Sequence, residues 1–185
     1  MQIDPETAKI AVEALKATLG IIAEKAKPKV REQILKWKTT HLAEKLQTNI
    51  RQIGKITTIA SREASTIDEI YYPSRIKLGK SGSRLVTFAS DLIASNSRVT
   101  LIIGTAGQGK SVFLRYLCLR DLDMQGHLPL FVELRKIDGA TTLKNLLHEH
   151  VASLGIGEDD SEEVFKALLK SGKPRLFLDG YDEIS

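Results

Sequence analysis

Eight consecutive residues, Gly104-Thr105-Ala106-Gly107-Gln108-Gly109-Lys110-Ser111, combine three glycines with a lysine and a hydroxyl. Such a set can hold a dense cluster of anionic oxygens. Backbone N–H groups supply donors at close range when no side chain obstructs them, and glycine at 104, 107 and 109 keeps the approach open. The Lys110 ammonium can reach the β- and γ-phosphates of a nucleotide, and the Ser111 hydroxyl can ligate Mg²⁺. The apolar run Val99-Thr100-Leu101-Ile102-Ile103 precedes the loop, and a segment of helical period, Val112 to Leu119, follows it. Strand, glycine loop and helix form the setting of a phosphate-binding loop, with the positive end of the helix dipole aimed at the same oxygens.

Binding phosphate is not hydrolysing it. Turnover also needs a metal anchor and a group that positions water. Both can come from the end of Arg175-Leu176-Phe177-Leu178, an apolar run with the length of a buried strand, which leads into Asp179-Gly180-Tyr181-Asp182-Glu183. Asp179, as the last strand residue, can hold Mg²⁺ through water. Asp182 and Glu183 are both candidates to orient the attacking water, and their spacing does not choose between them.

The elements around these motifs follow from pattern. Asp4 and Pro5 read as N-cap and first position of a helix running to about Lys27, with Ile10, Leu15, Leu19 and Ile22 on its apolar stripe. Pro28 opens a second, longer helix carrying Val30, Ile34, Trp37, Leu42, Leu46, Ile50 and Ile53. Residues 1–60 thus read as a basic, all-α pair or small bundle. Residues 61–97 read as a linker containing the turn Tyr71-Tyr72-Pro73, a flexible loop at 79–83 and a short helix near Phe88–Ile93. From residue 98 onward strands alternate with helices: a strand at Leu130–Leu134, helices over Leu143–Leu154 and Val164–Leu169, then the strand at 175–178. That alternation predicts a parallel α/β sheet.

Composition limits the alternatives. Residues 1–60 hold 11 Lys+Arg against 6 Asp+Glu, whereas residues 101–185 hold 10 against 13. The basic character therefore lies away from the phosphate loop. A basic helical segment could bind nucleic acid, but a solvated helix face is the favoured reading at this charge density. The single cysteine, Cys118, cannot form an intrachain disulfide, which suits a reducing compartment. No apolar run approaches the ~18 residues of a membrane span, and no secretory leader is visible, so the expected location is cytoplasmic with no membrane partner. His148 and His150 stand two apart and share no helix face, so they do not suggest a metal site.

The two motifs also carry a resemblance. Gly104 to Ser111 resembles the Walker A sequence of NACHT-domain NTPases, and Leu176 to Glu183 resembles their Walker B, in which a small residue follows the first acid and further acids come three and four positions later. The segment Pro129 to Arg135, and the turn Tyr71-Tyr72-Pro73, are similar to family segments between and before the motifs. The similarity covers about residues 67–185. It implies an α/β P-loop fold of the STAND class, ATP or ADP with Mg²⁺, slow switch-type hydrolysis and oligomerisation on activation. Bacterial members are implicated in anti-phage defence and animal members in innate immunity. Residue by residue, it implies phosphate contact by Gly104 to Lys110, a metal at Ser111 and Asp179, catalytic roles for Lys110 with Asp182 or Glu183, and a nucleotide nearby for Tyr72 and Pro73. In this class a further strand inserts between those of Walker A and Walker B. None follows Glu183 in the two residues to Ser185, so the chain is expected to be the N-terminal portion of a longer protein, with an incomplete sheet and poor stability or activity alone. Two other readings compete with it: a work-coupled ATPase of AAA+ type, against which the Gly180-Tyr181 spacer argues, and a nucleic-acid module in residues 1–60 regulated by the NTPase.

Overall fold

Proline at the first helical turn costs nothing, because its missing N–H would have no intrahelical partner there. Helix α1 accordingly spans Pro5–Glu24 and α2 Pro28–Lys36. The computed structural model describes residues 5–57, 64–79, 82–93, 97–123, 126–138, 140–153 and 161–183. The expected N-cap Asp4, part of the 79–83 loop and the helix end near Leu154 lie outside them. Ala11, Leu15, Leu19 and Ile22 form the buried stripe of α1, but Ile10 is 53% exposed and does not belong to it.

The expected long helix after Pro28 is two helices. Thr39 takes an extended backbone (φ −62°, ψ 141°), and α3 begins anew at Thr40–Arg51. The break lets α3 fold back on α1, so that Ala43, Leu46 and Ile50 are buried. A short antiparallel pair follows, β1 (Lys55–Thr57) with β2 (Ala64–Thr66). Next come the four-residue helix α4 (Ile67–Ile70) and a second antiparallel pair, β3 (Arg75–Lys77) with β4 (Ser83–Leu85). The short helix expected at 88–93 is a 3₁₀ turn, Ala89–Asp91, capped by the Asp91 carboxylate, which accepts the N–H groups of Thr87 at 3.0 Å and Phe88 at 2.9 Å.

The phosphate loop leads into α5 (Lys110–Asp123). Strand β5 (Leu128–Glu133) then begins two residues earlier than expected and ends before Leu134, which sits in a 3₁₀ turn, Leu134–Lys136. Helices α6 (Leu143–Ser153) and α7 (Ser161–Ser171) precede β6 (Pro174–Asp179). β5 and β6 pair in parallel, in register from Leu128 with Pro174 to Glu133 with Asp179.

The sheet is smaller than predicted. Among the described residues β5 and β6 are its only parallel members. The run 99–103, expected as a strand, joins no ladder. Val99, Leu101 and Ile103 are 80%, 65% and 85% exposed, and only Ile102 packs inward. A strand is held by inter-strand hydrogen bonds and neighbouring side chains; among the described residues this run joins no ladder, and Ile102 alone of its apolar side chains packs on a cluster.

Two apolar clusters hold the elements. Alternate residues of β5 face opposite ways, so Leu128, Leu130 and Val132 join one cluster and Phe131 the other. The first cluster takes Leu15, Leu19 and Ile22 of α1, Ile34 of α2 and Ile50 of α3 together with Leu146, Val151, Val164 and Leu168 of α6 and α7. The N-terminal helices and the parallel pair therefore bury apolar surface against each other. The second cluster joins Phe113 and Leu117 of α5 to Phe131, Phe177, Ile67 and Val86. At the far end from the phosphate loop, Asp121 of α5 pairs with Arg175 of β6, whose Nη2 also stands 3.2 Å from His127 Nε2. Burial pushes the Asp121 carboxyl up, and the charge and hydrogen bond of Arg175 pull it back in part.

Candidate nucleotide-binding site

Helix α5 starts at Lys110 because the preceding backbone is bent by Gly107 (φ +78°) and Gly109 (φ +76°), a conformation that L side chains rarely adopt. Gly104 answers a different need. A Cβ there would lie 2.6 Å from Gln108 Oε1, the atom that accepts the Thr105 N–H at 2.9 Å and closes the loop on itself. Thr105 to Gly109 are exposed, so the loop is open to solvent.

The second motif reaches the loop through strand alternation. Phe177 is buried against α5 with Phe113 and Leu117. Asp179, two residues on, projects from the same face of β6. It therefore meets the first turn of α5, and Ser111 Oγ donates to Asp179 Oδ1 at 2.9 Å. Lys110 Nζ donates to the carbonyls of Gly104 at 2.9 Å and Thr105 at 3.3 Å, and stands 3.9 Å from Asp182 Oδ2. Asp182 and Glu183 lie in a 3₁₀ turn, Tyr181–Glu183, with exposed side chains. Gly180 (φ +78°) makes this turn possible, and a Cβ on it would touch the Glu183 carboxyl at 3.5 Å.

The structure thus gathers Lys110, Ser111, Asp179 and Asp182 at one place, with Glu183 on the adjoining turn. A hydroxyl and a carboxylate are hard oxygen donors, and Mg²⁺ commonly takes one or two such protein ligands and completes its shell with water and phosphate. Ser111 and Asp179 fit that requirement. The site is an open edge at the C-terminal ends of the strands, the usual ligand position in parallel sheets.

The tyrosine–proline turn is placed differently. Tyr71, rather than Tyr72, packs on α5, its ring 4.6 Å from Tyr116 and 6.3 Å from Phe113. Its hydroxyl donates to Ser74 Oγ at 2.9 Å. Tyr72 is 87% exposed and Pro73 half-buried. The turn therefore buttresses the helix behind the loop through the residue before the two named from sequence.

Sequence reading missed a cluster of charges beside Asp179. Glu133 ends β5 level with Asp179. It accepts Arg115 Nη2 at 2.9 Å and Arg135 Nη2 at 2.7 Å, and Lys136 Nζ stands 3.4 Å away. Burial alone would raise the Glu133 carboxyl, but Arg135, Lys136 and Arg115 together hold it below its ordinary value. The available signal was the position of Glu133, an acid at the end of a buried strand.

Comparison with known proteins adds one finding: residues 98–185 match the family model of the NACHT domain. No curated protein and no solved structure matches the chain. The matched residues begin before the phosphate loop and take in α5, the parallel pair and the acids at 179–183. Over residues 98–185, therefore, this chain is similar to the NACHT domain, which supports a NACHT-type P-loop NTPase.

Proposed function

We propose that the protein is an ATP- and ADP-binding switch that uses Mg²⁺. The observation that carries this reading is the 2.9 Å contact between Ser111 Oγ and Asp179 Oδ1, which joins residues 68 positions apart. It brings the hydroxyl and the carboxylate of a metal site onto the loop built for phosphate. Gly104 to Gly109 would offer backbone N–H groups, Lys110 would exchange its loop carbonyls for phosphate oxygens, and Asp182 or Glu183 would hold the attacking water. Bound Mg²⁺ would neutralise charge developing on the phosphates. Slow turnover, nucleotide-controlled oligomerisation, a signalling role of the anti-phage kind and a cytoplasmic location extend this proposal, supported by the family resemblance. Residues 1–60 are proposed as the helical module that such a switch controls.

The test is titration of the chain with a fluorescent ATP analogue and Mg²⁺. Lys110→Ala is expected to abolish binding, and Ser111→Ala or Asp179→Asn to remove its Mg²⁺ dependence. Retained Mg²⁺-dependent binding in Lys110→Ala would overturn the site. Sedimentation with ATP against ADP tests the oligomerisation.

A further inference from the structure

The edge that carries the phosphate loop holds four carboxylates, Glu133, Asp179, Asp182 and Glu183, beside the cations Lys110, Arg115, Arg135 and Lys136. A nucleotide brings further negative charge to it, so the cations that can move toward phosphate decide whether it binds. Three of them are gathered on Glu133, and they are held very differently.

The Arg115 side chain is 24% exposed, donates also to the Ile53 carbonyl at 3.5 Å, and lies over the Phe131 ring at 5.2 Å. It is fixed on three sides. Lys136 is three residues from Glu133 and approaches its other oxygen, Oε2. Arg135 is 60% exposed, and among the described residues its guanidinium engages Glu133 alone. Its backbone nitrogen lies 3.7 Å from where a Cβ on Gly180 would sit. The turn bearing it, 134–136, packs against the turn bearing Asp182 and Glu183. Arg135 is therefore an exposed, singly held guanidinium rooted beside the acids of the site.

We propose that Arg135 is the arm that reads the terminal phosphate of a nucleoside triphosphate. It leaves Glu133 and donates to γ-phosphate oxygens, while Arg115 and Lys136 keep Glu133 neutralised. The planar guanidinium fork suits a phosphate better than a point charge does. A diphosphate lacks the oxygens that draw the arm over, so Arg135 stays on Glu133. The role is discrimination between triphosphate and diphosphate, and it rests on the nucleotide-site reading above.

Calorimetric titration of the full 185-residue chain with Mg²⁺ and either ADP or the β,γ-imido analogue of ATP tests this. Loss of a charge-assisted hydrogen bond is expected to weaken the triphosphate about tenfold or more in Arg135→Ala. ADP affinity should change by less than about threefold, since its contacts remain. Arg135→Lys should fall between wild type and Arg135→Ala. Glu133→Gln should bind the triphosphate at least as tightly as wild type, because the arm is released. Equal weakening of both nucleotides, or none, in Arg135→Ala overturns the assignment while leaving the nucleotide site standing. A wild-type chain that binds neither nucleotide removes both readings.

Discussion

Two apolar runs approach the site from below, and they end in opposite environments. Leu128 to Glu133 is buried along nearly its whole length, paired with β6 and covered on both faces. Val99 to Ile103 is as apolar in composition, yet all of it but the half-buried Ile102 is exposed, and it pairs with nothing described. The contrast teaches that apolar composition gives a segment the capacity to be a strand, while neighbours decide whether it becomes one. Strand stability resides in cross-strand pairs and burial more than in backbone preference. β5 meets β6 on one edge, α5 on one face and helices α1, α6 and α7 around the other. Among the described residues, the run before the phosphate loop joins the second cluster alone, through Ile102.

The sharpest break of this comparison is in β5. Leu130 is fully buried, so Leu130→Ala should cost about 2–5 kcal/mol through lost burial and a residual cavity. Urea unfolding followed by circular dichroism measures it, and a cost below about 0.5 kcal/mol would mean the strand is not held as described. Next in size is the anchor at the start of β6. Arg175→Ala strands the buried Asp121 carboxylate, and breaking one partner of a buried pair costs about 3 kcal/mol. Arg175→Ala and Asp121→Ala combined should cost less than the sum of the two singles, which a double-mutant cycle reads directly.

A third prediction concerns acid at the top of β5. The Glu133 carboxyl is held below its ordinary value in the fold. A depressed folded value gives stability that is complete above the unfolded value near 4.5 and is lost as pH falls through the folded value. Glu133→Gln should therefore flatten the loss of stability below about pH 4.5 relative to wild type. An unchanged acid-unfolding profile would show that its three cations do not stabilise the carboxylate. The smallest effect is expected in the exposed run. Leu101 is 65% exposed, and Leu101→Ala should stay within about 0.5 kcal/mol. A cost approaching that of Leu130→Ala would erase the contrast.

The legible part of the site was its covalent spacing. Three glycines, Lys110 and Ser111 announce a phosphate cradle because the chemistry needs those residue types in adjacent positions. Asp179 was legible for a related reason: an acid at the end of a short apolar run stands at a strand terminus. The charges on Glu133 were not, because Arg115 lies 18 residues away, and nothing local shows that a helix and a strand end will converge. Tyr71 and Tyr72 are indistinguishable by type, and only the packing on Phe113 and Tyr116 shows that it is Tyr71 that lies against α5. The helix break at Thr39 was hidden as well, since the apolar positions on either side continue at compatible steps while the backbone turns to lay α3 on α1.

Sequence alone thus determined that this chain carries a phosphate-binding loop and a set of acids able to serve it, because both depend on residues close together in the chain. Tertiary structure decided that Ser111 and Asp179 meet, that Phe177 sets that meeting by packing on α5, and that Arg135 is held, among the described residues, by a single carboxylate at the edge of the site. It also decided that the run 99–103 stays outside the parallel pair. Each of these depends on long-range burial and pairing, which residue order constrains only through the fold as a whole.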